Sequence, residues 1–173
     1  MSKTITITLK KSLIKEAVKT DTFITGKSEL LNDGSNNAKV YNEQVGDDTF
    51  HERKLDRTFR GALGSFKSNL VDFVDPTVGT ISDATSGDNV TITMVVSDRF
   101  NSSLANTLAE LSQDYIINKM ITMWWLAIKP ELAAQYQSIA NESWLSVRRC
   151  LTKMAPATST SDYDSVQGSV TTA

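Results

Sequence analysis

The sequence predicts an α+β fold, mainly helical with about four helices, plus a small antiparallel β-hairpin or sheet. Three observations carry this. Apolar residues recur at helical spacing in the segments around Leu13–Val18, Leu55–Phe73, Leu104–Ile121 and Leu132–Met154. Thr4–Leu9 and Val90–Val96 alternate with period two. The 173 residues suffice for one hydrophobic core but would leave two halves each marginal.

The elements follow in order. In Thr4-Ile5-Thr6-Ile7-Thr8-Leu9 the three apolar residues face one side, as in a half-buried strand. From Lys10 the period changes. Leu13, Ile14, Ala17 and Val18 share one helical face, Lys11, Lys15 and Lys19 another, and Gly26 is expected to end this helix. Asn32–Asn37 is a dense turn signal, and the loop from Ser28 to Asp48 is acidic: Glu29, Asp33, Glu43, Asp47 and Asp48 against Lys39 alone. A connection this long inside a compact domain points to contact with a partner.

Thr49-Phe50-His51-Glu52 has the form of a capping box. The helix it opens carries Leu55, Phe59, Leu63, Phe66, Leu70 and Phe73, stepping by four and three, and stops near Asp75-Pro76. A hairpin follows, with arms Val78–Ser82 and Val90–Val96 and a polar tip Asp83–Asn89. Its second arm echoes the first strand, so the three strands can join in one sheet. Asn101, Ser102 or Ser103 can cap the next helix. That helix begins with a stripe of Leu104, Leu108, Leu111 and Tyr115, then turns apolar on most sides, which predicts burial by several neighbours. Pro130 at a first helical turn opens the last helix, which carries Leu132, Tyr136, Ile139, Val147 and Met154 and ends at Ala155-Pro156. Residues 1–156 are read as a single globular domain. Residues 157–173, rich in Thr, Ser and Asp, are read as an extended polar C-terminal arm that orders on contact.

Reactive chemistry is scarce. One His and one Cys exclude an N/S zinc ligand set within one chain, and Asp33-Gly34 lacks the carboxylate spacing of a calcium loop. Thr25-Gly26-Lys27-Ser28 resembles the end of a phosphate loop, but Asp21 stands where that loop needs glycine. His51, beside Glu52 in a first helical turn, reads as a surface or interface residue, and no nucleophile elbow accompanies it. Cys150 reads as a small apolar core residue, with a thiol activated by Arg148 and Arg149 as the alternative. The expectation is a non-enzyme with neither cofactor nor metal. The start Met1-Ser2-Lys3-Thr4-Ile5 lacks the apolar run of a signal peptide. Ile116–Ile128 is too short and too interrupted to span a bilayer, so a soluble chain made in the cytoplasm is expected.

Interaction chemistry is richer. Arg53, Arg57, Arg60 and Lys67 share one helix face, and Lys11, Lys15 and Lys19 form a second ridge. Such ridges are solvated, meet DNA phosphates, or dock on the acidic loop of a neighbouring copy. The formal net charge of −2 argues against a dedicated nucleic-acid binder but leaves a locally basic face open. Trp124 and Trp125 point about 100° apart on a helix. Both fill the core, or one packs the core and the other a partner surface. A base-stacking platform is the third reading. Asp47-Asp48 in the acidic loop and Gly87 at the hairpin tip complete the candidate contact residues.

The element order resembles that of small virion proteins of tailed bacteriophages. It includes Asp21–Lys27 after the first helix, Val96–Asn101 after the hairpin and Trp124–Pro130 at the helical hinge. In outline the chain is similar to head-completion and head–tail connector (adaptor) proteins, a resemblance spanning most of Lys10 to Pro156. The N-terminal strand and the long acidic loop depart from that pattern. The resemblance implies a structural virion subunit in a homo-oligomeric ring between portal and tail, assembled in the host cytoplasm, with DNA possible in its channel. The alternatives are a tail terminator or other tail-accessory protein, and a DNA-binding packaging accessory using the basic helix face.

Overall fold

Three strands and four helices make up the computed structural model, which describes residues 2–33, 49–74 and 81–154, with backbone only from 26 to 33. The strands are β1 (Ser2–Lys10), β2 (Ser82–Ser86) and β3 (Asn89–Ser97). The helices are α1 (Lys11–Asp33), α2 (Thr49–Leu70), α3 (Ala105–Trp125) and α4 (Pro130–Thr152). Short 3₁₀ turns at Val71–Phe73 and Ser102–Leu104 follow α2 and precede α3. The fold is α+β and mainly helical, as the periodicities predict.

The sheet is antiparallel throughout, in the order β1-β3-β2. β1 and β3 pair along nine residues, from Ser2 opposite Ser97 to Lys10 opposite Asn89. That register puts Ile5, Ile7 and Leu9 on the same face as Val90, Ile92, Met94 and Val96, all buried. Thr4, Thr6 and Thr8 point the other way and are exposed. A slip of one residue would exchange these faces, so burial itself fixes the register.

Helix α3 is the hub. It packs against α4, α2, α1 and β1. Ten of its residues are buried, among them Tyr115, Ile116, Met120, Trp124 and Trp125, and this is why its apolar arc is so wide. Its buried serine and threonine hydroxyls bond back to their own helix, Ser112 to the Leu108 carbonyl at 2.6 Å and Thr122 to the Asn118 carbonyl at 2.9 Å. The apolar stripe of α2 is buried at Leu55, Phe59, Leu63, Phe66 and Leu70, whereas Phe73, expected in the same helix, lies in the 3₁₀ turn that follows and is only half-buried. Burying such a side chain contributes about 1.5–3 kcal/mol, several times an exposed ion pair, so this stripe sets where α2 lies. Gly61 permits a close approach there, since a Cβ would stand 3.2 Å from the Met123 sulfur on α3.

Four boundaries differ from the sequence reading. α1 runs through Gly26 to Asp33; glycine weakens a helix by only about 1 kcal/mol and does not by itself stop one. β2 occupies Ser82–Ser86, of which Asp83–Ser86 were assigned to the hairpin tip, and the turn is only Gly87-Asp88, with Gly87 at φ +60°. Every residue of β2 is exposed, so the strand carries no alternation to read. α4 ends at Thr152, and Met154 forms a lone bridge with Phe100. At the start of α2, Thr49 is already helical and the Glu52 carboxylate binds Lys15 and Lys19 of α1. The expected arm over 157–173 and the first hairpin arm at Val78 lie outside the described residues.

Candidate interaction surface

The two basic ridges have different fates. Lys11, Lys15 and Lys19 recur every four residues along α1 and face α2. Lys11 and Lys15 reach Asp56 at 2.7 and 2.9 Å, and Lys15 and Lys19 reach Glu52 at 2.9 and 2.6 Å. The ascending order on α1 meets the descending order on α2, so the two helices run antiparallel. The bonds from Lys19 and Lys15 hold the Glu52 carboxyl below its ordinary value, and those from Lys11 and Lys15 do the same for Asp56. Burial pulls the Lys15 pKa down, but its bonds to Asp56 and Glu52 outweigh that and leave it raised. The expectation that this ridge docks on a neighbour's acidic loop is therefore overturned: acids of its own chain neutralise it.

The ridge on α2 stays outward. At about 100° per residue, Arg53, Arg57 and Arg60 fall within an arc of about 60° and along about 10 Å of helix. All three are exposed. Arg60 Nε donates to the Asp56 carbonyl of its own helix at 3.3 Å. No carboxylate among the described residues pairs with any of the three. Lys67 departs from the expected group, because its ammonium is tied to Asp83 of β2 at 2.7 Å. The sequence face of four cations is thus a surface of three arginines with a fourth cation holding β2 against α2.

The tryptophans are interior. Trp124 is 1% exposed and Trp125 0%, so the reading that turns one of them toward a partner, or toward stacked bases, is corrected. The Lys54 ammonium lies 3.8 Å from the centre of the Trp124 ring, and His51 meets that ring edge-on at 5.4 Å. Burial lowers the Lys54 pKa. Trp125 lies under Lys129, at 5.9 Å, and its Nε1–H finds no acceptor among the described residues. Trp144 is half-buried among Phe66, Phe73 and Tyr115. The large apolar surface at this end of the bundle belongs instead to Phe50, 77% exposed, and Leu126, 65% exposed. Sequence reasoning singled out neither: Phe50 was read only within the capping box and Leu126 only within the hinge segment.

The other candidates are quickly placed. Cys150 is buried, and burial pushes its thiol pKa up, which fits the inert core reading. His51 is half-buried against Trp124. Gly87 forms the tight turn of the hairpin. Asp47 and Asp48 lie outside the described residues. Among the described residues no group of three His, Cys, Asp or Glu side chains could hold a metal, and no helix is long and apolar enough to cross a membrane. An open polar cleft of about 570 Å³ lies between α2, α3 and α4. Its side chains largely satisfy one another: Lys119 donates to Gln137 at 2.7 Å, Gln137 to Asn141 at 2.8 Å and Asn69 to Tyr115 at 3.2 Å. The cleft holds hydrogen-bonding groups but no nucleophile paired with a base.

No family model, curated protein or solved structure matches this chain. The described surface carries an outward arginine ridge and exposed apolar side chains at one end of the bundle.

Proposed function

We propose that this chain is a non-enzymatic structural subunit that assembles with copies of itself into a ring, and that its setting is the head–tail connector of a tailed bacteriophage. The observation that supports self-assembly is the inequality of the two ridges. The lysines of α1 are satisfied within the chain, whereas Arg53, Arg57 and Arg60 stand outward with no carboxylate partner among the described residues. The same chain carries Glu29, Asp33, Glu43, Asp47 and Asp48 in its acid-rich stretch. One copy's arginine ridge and the next copy's acidic stretch are complementary, and a head-to-tail contact of that kind makes a ring when the rotation between copies closes. Portal and tail proteins are the outer partners in this reading, with the virion as its location.

Mass photometry across a concentration and salt series tests it. Wild type should form a discrete oligomer that dissociates at high salt. Arg53→Glu/Arg57→Glu/Arg60→Glu should lose that oligomer, leaving nothing larger than a dimer, with an unchanged melting temperature. A wild type that stays monomeric at every concentration at low salt overturns the proposal. Electron microscopy of particles separates a connector from a tail terminator by position and symmetry.

The same exposed arginines support a second reading, contact with DNA phosphates. Three phosphate contacts would give a slope of about −2.7 in a plot of log affinity against log salt. Absence of binding at low salt removes that reading.

A further inference from the structure

Among the described residues the sheet has two edges with no further strand, and they differ in character. β2 is short, exposed along its whole length and carries Asp83, which Lys67 holds. Short length and a charge are ordinary devices for blunting an edge. β1 has neither. It runs nine residues in unbroken register with β3, with no proline, glycine or bulge, and its only charges are Lys3 and Lys10 near its ends. No other strand among the described residues pairs with its far side. Such an edge presents a row of unpaired N–H and C=O groups to any suitable strand.

We propose that this edge is an interface between two copies of the chain, joined by antiparallel pairing of β1 with β1 about a two-fold axis at Thr6. The sequence of the strand is what selects a second copy as the occupant. Ser2-Lys3-Thr4-Ile5-Thr6-Ile7-Thr8-Leu9-Lys10 is nearly symmetric about Thr6. Antiparallel pairing centred there sets Thr4 against Thr8, Ile5 against Ile7, Lys3 against Leu9 and Ser2 against Lys10. Threonine meets threonine on the exposed face; on the face that α3 covers Ile5 meets Ile7, and the Lys3 stem lies against Leu9. No lysine opposes a lysine, and like charges directly opposite would weaken the pair. The product is a six-stranded sheet in the order β2-β3-β1-β1-β3-β2, whose outermost strands are the two blunted ones. The contact is isologous and uses none of the arginine ridge, so it stands or falls independently of the ring.

Cysteine placement reads the register. Opposed residues in an antiparallel pair lie about 4.5–5.5 Å apart at Cα, within disulfide reach, while Cα atoms more than about 7 Å apart are out of reach. Thr6→Cys places its thiol against its own copy. Thr8→Cys places it against Thr4, about 14 Å from the partner's thiol at 3.4 Å per residue. Under mild oxidation Thr6→Cys should give a covalent dimer and Thr8→Cys alone should not, whereas a mixture of Thr8→Cys with Thr4→Cys should. Wild type, whose one thiol is buried, serves as the blank. Charge gives a second reading that leaves the fold intact, because Thr6 is exposed. Thr6→Lys should abolish the dimer at an unchanged melting temperature, and mixing it with Thr6→Glu should restore one. Run in the Arg53→Glu/Arg57→Glu/Arg60→Glu background, the assay sees this contact without the ring. Equal crosslinking of Thr6→Cys and Thr8→Cys, or a Thr6→Lys protein that keeps the wild-type dimer, overturns the proposal.

Discussion

The Asp88 carboxylate accepts the backbone N–H of Ser12 at 2.7 Å and the Ser12 hydroxyl at 2.5 Å, across 76 residues of sequence. The Asp88 carbonyl also takes the Lys11 N–H, at 2.9 Å. The hairpin turn therefore caps α1 from another part of the chain. It supplies acceptors for helix donors that have no partner within the helix, and a negative charge at the positive end of the dipole.

Asp88→Ala should lower the melting temperature near neutral pH, with a gap to wild type that shrinks on acidification. The Ser12 hydroxyl and then its N–H hold the Asp88 carboxyl below its usual range. A depressed folded pKa contributes stability above the unfolded value of about 3.9, and that contribution is lost as pH falls through the folded value. Thermal melts across the acid range check this; a gap independent of pH would refute the charge argument.

Glu52→Gln should cost about 0.5–1 kcal/mol in urea denaturation, because its side chain is 39% exposed and solvent screens both of its lysine contacts. Phe66→Ala, at a fully buried position of the same helix, should cost about 3–5 kcal/mol. A Glu52 variant as damaging as the Phe66 variant would mean that the ion pairs, not the apolar stripe, set where α2 lies.

Gly87→Ala should destabilise by about 1–2 kcal/mol, since an L-residue at φ +60° carries the left-handed penalty. An added Cβ would meet nothing within 4 Å, so the cost is conformational and not steric. Gly87→Asn should cost less. Equal losses for alanine and asparagine in chemical denaturation would point to a contact instead.

Cys150 should resist thiol reagents in the native state and react at full speed once denaturant is added. Its side chain is 7% exposed, its sulfur lies 3.8 Å from the Leu104 carbonyl, and burial raises its pKa. Labelling then proceeds through opening, and the ratio of the two rates measures how often α4 parts from α3. Native labelling as fast as that of a free thiol would place the sulfur at the surface.

Much of the fold was legible because burial writes a period into the sequence. The alternation in Thr4–Leu9 and Val90–Val96 gave two strands, and the stripe from Leu55 to Leu70 gave α2. Pro130 gave the start of α4. What lacks a period was misplaced. β2 is exposed throughout, and Gly26 sits in a helix that runs past it. The candidate surface was half legible. Helical spacing put Arg53, Arg57 and Arg60 on one face, but spacing says nothing about what stands opposite. That Glu52 and Asp56 would claim the lysines, Asp83 would claim Lys67, and Lys54 would cover Trp124 are tertiary facts between residues far apart in sequence or one turn off the expected face.

β1 leads its partner β3 by two helices, and this order matters during synthesis. A nine-residue alternating segment emerges from the ribosome with both flanks open and waits for α1, α2 and the hairpin before it can be closed on one side. Long-range pairing of this kind forms late and leaves strands open to mispairing. The yield of native protein in a cell will therefore depend on how well that early segment is shielded while translation continues.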